Sequence, residues 1–299
     1  MTLTVIILTK NEQLHIERAM ASVAGVADRC VVVDSGSTDA TLTLAKSAGA
    51  EILSNPWTNH ATQFNWALDQ LGTETQWILR LDADEIVTAK LAEEIKSVLP
   101  TLGTDITGVF VSRHMAFWGR RIRWGGLFPL RVMRLFRHGQ GRCENRWMDE
   151  HIITSGPAAN FVGEIIDDNH NSLSWWTEKH NAYASREVVD LLSVEYGFAQ
   201  ADSVTNMGQR SEASVKRWIK ENVYARLPSG LRAFAYFFYR YIVRLGFLDG
   251  KEGAAFHILQ GLWYRYLVDM KLHEVKSFMK KTGAGPKDAI RSVLGIDLT

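Results

Sequence analysis

The chain has 299 residues, 46% of them hydrophobic, and a formal net charge of +1. That is enough apolar material for a large core, and so even a charge balance excludes a protein that holds nucleic acid through its global field. The two cysteines, Cys30 and Cys143, stand far apart, which predicts free thiols in a reducing compartment rather than a disulfide framework.

In chain order, residues 3–8 form a short β-branched run and read as a buried strand. No basic stretch precedes it and Lys10-Asn11-Glu12 ends it, so it reads as the opening strand rather than a leader. A helix is predicted over about residues 14–26 and a second strand over 29–34. Ser35-Gly36-Ser37 makes a turn, and Ser37 or Thr38 caps a helix running through Ala48. A short strand at 51–53 and a helix at about 60–71 follow. A strand at 77–81 then runs into Asp82-Ala83-Asp84-Glu85. A helix at about 89–99 and a strand at about 107–112 complete the series. Strands alternating with helices predict an α/β domain with a mostly parallel sheet covered on both faces.

Residues 113–171 are rich in Gly, Arg, Trp and His and read as functional loops. Helical spacing returns at 173–197. From about Lys216 onward aromatic and basic residues interleave. The predicted division is a catalytic domain over 1–210 and a helical extension over 211–299.

Ligands of open parallel sheets bind at the carboxyl ends of the strands. Three polar clusters fall there: Thr9-Lys10-Asn11-Glu12, the stretch from Asp34 to Asp39, and Asp82-Ala83-Asp84-Glu85. Three such clusters in register point to a nucleotide site. Two carboxylates one residue apart at the end of a strand offer hard oxygen ligands to Mg²⁺ or Mn²⁺. The alternative for Asp82 and Asp84 is a solvated acidic turn.

The segments Val5-Ile6-Ile7-Leu8-Thr9-Lys10-Asn11-Glu12, Val31-Val32-Val33-Asp34-Ser35-Gly36-Ser37-Thr38-Asp39 and Trp77-Ile78-Leu79-Arg80-Leu81-Asp82-Ala83-Asp84-Glu85 resemble the family-two glycosyltransferases of the GT-A fold, in order and spacing as well as in content. Gly125-Gly126-Leu127-Phe128-Pro129, Arg134-Leu135-Phe136, Met148-Asp149-Glu150 and Lys179-His180-Asn181-Ala182-Tyr183 are similar to stretches of bacterial lipopolysaccharide-core and exopolysaccharide glucosyltransferases.

The resemblance implies an inverting transfer from a UDP-sugar donor to a glycan or glycolipid acceptor, with UDP-glucose the leading donor. It implies that Asp34 binds the uracil or ribose, with Thr9 and Glu12 nearby and Asp39 as the weaker alternative. The alternative for Asp39 is a charge at a helix N-terminus. It implies that Asp82 and Asp84 hold the metal, Asp84 more directly, and that a late histidine, His170, joins them or is a plain loop residue. Asp149 and Glu150 stand where the family places its base, with Glu150 first. Gln63 and Asn65 lie in a segment that relatives use near the nucleotide. Arg134 and Arg131 suit diphosphate or acceptor contact, since a guanidinium matches phosphate geometry.

Within 231–248 the charged residues Arg232, Arg240 and Arg244 share a helical spacing, and 254–268 is a second aromatic segment with Trp263, Tyr264 and Tyr266. Neither is long enough to span a bilayer. Both read as amphipathic helices on an anionic membrane surface, which predicts a protein peripheral on the inner, cytoplasmic face. Core packing is the alternative. A haloacid-dehalogenase-type phosphatase also uses Asp-x-Asp, but on its first strand. A dinucleotide oxidoreductase needs Gly-x-Gly-x-x-Gly, which is absent. A membrane-bound scaffold without turnover is the non-enzymatic rival.

Overall fold

The computed structural model describes residues 1–144, 151–198 and 230–298. The chain forms two compact units, one of Met1–Arg123 with Leu127–Asn171, the other of Trp124–Gly126 with Ser172–Thr299. The expected boundary near residue 210 lies outside the described residues, and the second unit takes up the chain from Ser172.

The first unit is built on β1 (Leu3–Thr9), which lies between β2 (Arg29–Asp34) and β4 (Trp77–Asp82), both parallel to it. β3 (Glu51–Ser54) pairs parallel with β2. Alternate side chains of β1 point to opposite faces. Leu3, Val5 and Ile7 pack in one core cluster with Ile16, Met20 and Val23 of α1 (Ile16–Val23). Ile6 packs in the other with Phe64, Ala67 and Leu68 of α3 (His60–Asp69). Burial of both faces is why these strands carry near-continuous apolar runs.

The sheet continues beyond β4 as a mixed sheet. β5 (Glu85–Val87), β6 (Gly108–Phe117), β7 (Arg120–Arg121), β8 (Leu130–Arg137) and β11 (Ala158–Asp168) complete it, in the order β3-β2-β1-β4-β8-β6-β11-β5 with β7 beside β6. β8 runs antiparallel to β4 and β6, and β5 antiparallel to β11. β9 (Gly141–Cys143) and β10 (Ile152–Thr154) pair separately. Residues 113–171, expected to be irregular, therefore hold much of the sheet.

A helix α2 (Thr41–Ser47) follows β2, and α4 (Ala89–Ser97) packs on β11. The register of β11 slips between Asn160 and Glu164, and Gly163 lies in that irregularity. A Cβ there would sit 2.3 Å from Leu91 Cα. Backbone cannot yield as a side-chain tip can, so Gly163→Ala is expected to cost about 2–3 kcal/mol. Thermal denaturation checks this; an unchanged melting temperature would show that α4 slides freely on β11.

The second unit is helical: α5 (Leu173–Tyr196), α6 (Leu231–Phe238), α7 (Gly250–Phe256), α8 (Tyr264–Thr282) and α9 (Pro286–Leu294), with π-helical turns at Tyr239–Val243 and His257–Trp263. Val188 and Leu192 of α5 pack against Val268 and Val275 of α8 and Ile290 of α9. Gly197, at φ 68°, ends α5 in the left-handed conformation that glycine accepts without strain. The segment 254–268 is divided between core and surface: Phe256, His257 and Val268 are buried, while Ile258 and Tyr266 are exposed. Tyr264 is buried, and its hydroxyl donates to Glu187 at 2.7 Å. Among the described residues no helix is long and apolar enough to cross a membrane.

Burial pushes His180 and His257 down to about 4, helped by Lys179 beside the first and Arg240 beside the second. A free imidazole titrates near ~6.5. Between those values the unfolded chain takes up protons that the folded chain refuses, so the contribution is whole above ~6.5 and lost as pH falls toward 4. The melting temperature is expected to fall across that window, and His180→Phe to flatten the slope. A wild-type profile flat from pH 6.5 to 4 would contradict it.

Candidate functional site

The strand register sets the site. Thr9 stands opposite Asp34 across β1 and β2, and Leu8 opposite Asp82 across β1 and β4. The loops that leave these neighbouring strands therefore emerge side by side at the carboxyl edge.

The first two loops are stitched together. Asn11, at φ 58°, accepts from Thr38 N at 2.8 Å, and its own N–H donates to Ser37 Oγ at 2.9 Å. Glu12 N donates to Thr41 Oγ1 at 2.7 Å. Asp34 is buried and accepts from Gly36 N at 2.8 Å, Ser37 N at 2.9 Å, Ser37 Oγ at 2.5 Å and Thr9 Oγ1 at 3.3 Å. A carboxylate offers about four acceptor sites. Asp34 and Thr9 thus shape the turn from inside, where Gly36 at φ 92° needs the conformational freedom of glycine.

Asp39 accepts from Thr41 N at 3.0 Å and Gln13 N at 3.2 Å at the start of α2. Burial alone would raise its pKa, but these bonds and the Thr41 hydroxyl hold it below the ordinary carboxylate value. Asp39, rather than the expected Ser37 or Thr38, supplies the helix-start contact.

Gln63 is buried and ties two strand ends, with Nε2 donating to Ser35 Oγ at 3.1 Å and to Asn55 O at 3.0 Å. Asn65 faces elsewhere: its amide donates to Cys143 O at 2.8 Å and accepts from Cys143 N at 2.9 Å, clamping β9.

The third loop carries a dense charge network. Arg134 of β8 donates to Asp82 at 2.9 Å and to Glu85 at 2.5 Å. Arg113 of β6 donates to the same Glu85 oxygen at 2.6 Å and to Asp167 of β11 at 2.5 Å. Glu85 is fully buried, and its other oxygen accepts from Asp82 N at 3.1 Å. Burial works against charge on Asp82, but Arg134 and Arg80 prevail and hold it far below the usual carboxylate range. Asp167 goes the other way. Burial, with Asp84, Glu85 and Asp82 close by, pushes it up to about 7 despite Arg113. His60 lies 3.9 Å from Asp82, and burial with Arg80 beside it pushes it down to about 4.

Asp84 is set apart. One of its oxygens accepts from Asn169 Nδ2 at 2.9 Å, and its carbonyl accepts from Asp168 N at 2.9 Å. His170 does not turn to the aspartate pair; its Nε2 lies 2.9 Å from Asp168 and 3.0 Å from Arg18 Nη1. It enters the site through its backbone instead, donating to His15 Nε2 at 2.8 Å. That leaves His15 Nδ1 to donate to Glu12 at 2.7 Å. Glu12 thus orients a buried imidazole.

Among the described residues no three His, Cys, Asp or Glu side chains converge as a metal cage. Mg²⁺ bound with a diphosphate needs only one or two carboxylates, the rest of its shell being phosphate and water. Asp84 meets that need, with a hard oxygen beyond the one bonded to Asn169. The buried Asp168 Oδ1 beside it has no hydrogen-bond partner. Asp149 and Glu150 lie outside the described residues.

Sequence reasoning missed Arg113, Asp167, Asp168, Arg18 and His15. Of these, Arg113 carried a signal, a charge inside a mostly apolar strand. A haloacid-dehalogenase-type phosphatase needs the first aspartate free to attack phosphorus, and here Asp82 is held by Arg134.

The chain is 35% identical over 211 residues to an uncharacterized glycosyltransferase of Rickettsia typhi, covering 67% of this chain and 72% of that one. A relative from Rickettsia bellii, also an uncharacterized glycosyltransferase, is 40% identical over 99 residues, 33% of each chain. A lipopolysaccharide core biosynthesis glycosyltransferase of Rhizobium meliloti is 31% identical over 167 residues, 53% of this chain and 59% of that one. Among solved structures, glucosyl-3-phosphoglycerate synthase of Mycobacterium tuberculosis, in complex with Mn²⁺ and UDP, overlaps 38% of this chain and 44% of its own at 21% identity and a TM-score of 0.31. So slight an overlap carries no further argument. The family model for glycosyl transferase family 2 matches residues 4–181, more than half of the chain and all three strand-end loops. The mixed sheet with its flanking helices is accordingly a GT-A-like fold, and the chain belongs to glycosyl transferase family 2.

Proposed function

We propose that this glycosyltransferase moves a hexose, glucose in first place, from a UDP-sugar to a lipopolysaccharide-core or other lipid-linked glycan at the cytoplasmic face of a membrane. The observation that carries the reading is the register of β2, β1 and β4, which sets the Asp34 turn, the Thr9–Glu12 loop and the Asp82–Asp84 pair next to one another. The lipopolysaccharide-core relative supports the acceptor class.

The reaction is a single in-line displacement. The acceptor oxygen bonds to the anomeric carbon as the bond from that carbon to the diphosphate oxygen breaks. UDP leaves with the electron pair, and the configuration inverts. The hydroxyl proton passes to Glu150, or to Asp149. Mg²⁺ or Mn²⁺ on Asp84, with Asp82 alongside, would neutralise charge on the departing diphosphate. Arg134 and Arg113 keep the acidic loop in place, and Glu12 does the same for His15.

Glu150→Gln keeps the shape and removes the basic oxygen. Transfer is expected to fall by about 10²–10⁴-fold, while stabilisation by UDP with Mn²⁺, read by thermal shift, stays at the wild-type level. Near-normal turnover in the variant would remove Glu150 from the role, and the same experiment on Asp149→Asn tests its neighbour. A wild-type protein that responds to no nucleotide would overturn the donor reading.

A further inference from the structure

The spacing of Arg232, Arg240 and Arg244 suggests a cationic helix face turned to solvent. The structure turns two of these arginines inward. Arg232 is paired with the buried Asp269. Arg240 is 2% exposed, with its guanidinium 5.3 Å from the Tyr236 ring and 5.6 Å from the Phe256 ring. The face left outward is apolar. Leu231, Phe234, Phe238, Ile242 and Leu245 recur at steps of three, four, four and three, and with Val243 each is 40–59% exposed. Leu245 sits at φ 58°, a conformation glycine would adopt without strain, yet the position carries a large exposed apolar side chain.

A segment that turns two arginines in and points Phe234 and Phe238 out is reversed relative to a solvated surface helix. The charge around the patch identifies what covers it. Between residues 231 and 251 the exposed charged side chains are Arg244 and Lys251, both cationic, the second lying 3.7 Å from the half-buried Glu252. The acidic residue of that stretch, Asp249, is buried and accepts from Trp124 N at 2.9 Å. Tyr239 and Trp124, ring types that favour the headgroup boundary, are also exposed. An apolar face with a sparse cationic margin and no exposed carboxylate fits the interface of a bilayer containing anionic phospholipid.

We propose that the outward face of residues 231–248 is a monotopic membrane anchor that inserts among lipid chains, with Arg244 and Lys251 at headgroup level. The attachment is chiefly apolar insertion rather than surface charge attraction. The inference deepens the reading of a lipid-borne acceptor and rests on it for its purpose. Its test does not, since partition is measured without nucleotide or turnover.

The test is flotation of the full chain with vesicles of phosphatidylcholine and phosphatidylglycerol, at ~0.1 M and ~1 M salt, where the screening length shrinks from about 10 Å to about 3 Å. The expected result is flotation at both salt concentrations, lowered by about tenfold in Phe238→Asp and in Val243→Asp. Both positions are solvent-facing, so the variants are expected to keep the wild-type melting temperature and its response to UDP with Mn²⁺. Either variant suffices if the other fails to fold. Three outcomes would overturn the proposal: wild-type protein that stays at the bottom, flotation abolished at ~1 M salt, or variants that float normally but convert an oligomer to a monomer. The last would assign the face to a second copy of this chain. Loss of flotation with the UDP response intact separates failure of the anchor from failure of the donor reading.

Discussion

Arg134→Met is expected to lower the melting temperature by roughly 10 °C. Arg134 joins two carboxylates, Asp82 at 2.9 Å and the fully buried Glu85 at 2.5 Å. Burying a carboxylate without a partner is the costly direction. Removing one member of a buried pair costs about 3–5 kcal/mol, because the remaining charge cannot return to water. Arg113 cannot make up the loss, since it already serves Glu85 and Asp167. Burial, with the neighbouring carboxylates Asp84, Glu85 and Asp82, pushes Asp167 up to about 7 even with Arg113 in place, so the intact network has no positive charge to spare. Arg134→Lys is expected to recover part of the stability, since a lysine restores the charge but not the two-way reach of a guanidinium. Differential scanning calorimetry decides the matter. A methionine variant melting within a degree or so of wild type would mean that water, rather than Arg134, satisfies Asp82 and Glu85.

Asp84→Ala has the opposite profile. Stabilisation by UDP in the presence of Mn²⁺ is expected to vanish, and transfer to fall by about 10²–10³-fold, the loss typical of removing one electrostatic support from a transition state. The ligand-free protein is expected to melt no lower than wild type. Asp84 crowds Asp167 with like charge, and removing it relieves that repulsion at the loss of one hydrogen bond from Asn169. A thermal-shift titration with and without metal reads both effects. Continued metal-dependent stabilisation by UDP would move the cation elsewhere, with Asp168 the next carboxylate to replace. On the proposed reading the two residues divide the labour: Arg134 holds Asp82 and Glu85 in place, while Asp84 would be retained at some cost to stability for the cation it holds.

The parallel half of the sheet was legible because β1, β2 and β4 are covered on both faces and so are written in apolar residues. The mixed half was not. β8 reads Leu-Arg-Val-Met-Arg-Leu-Phe-Arg, and its arginines at 131, 134 and 137 give it the look of a loop. Those arginines have partners within the fold: Asn160, Asp82 with Glu85, and the carbonyl of Ile106. A strand that serves a polar network loses the apolar signature by which strands are found in sequence. Gln63 and Asn65 illustrate a related limit. Their residue types suit ligand contact, but only tertiary pairing shows Gln63 bonded to Asn55 and Asn65 to the backbone of Cys143. Over 231–248 the arginine spacing did not fix the facing, since Arg232 and Arg240 turn inward while Arg244 is exposed: periodicity gives the angle between side chains and not the direction of the core.

The clamp between Asn65 and Cys143 has a consequence for how the position it holds can change. Among the described residues the amide of Asn65 bonds to the main-chain N–H and C=O of residue 143. Main-chain atoms are the same whatever the side chain, so this anchor is indifferent to the sequence it secures. The side chain at the anchored position can therefore change without altering the chemistry of the two bonds that hold it. The converse does not hold: a carboxylate at position 65 would face the carbonyl of Cys143 with no proton to offer it, so the anchor itself depends on one asparagine.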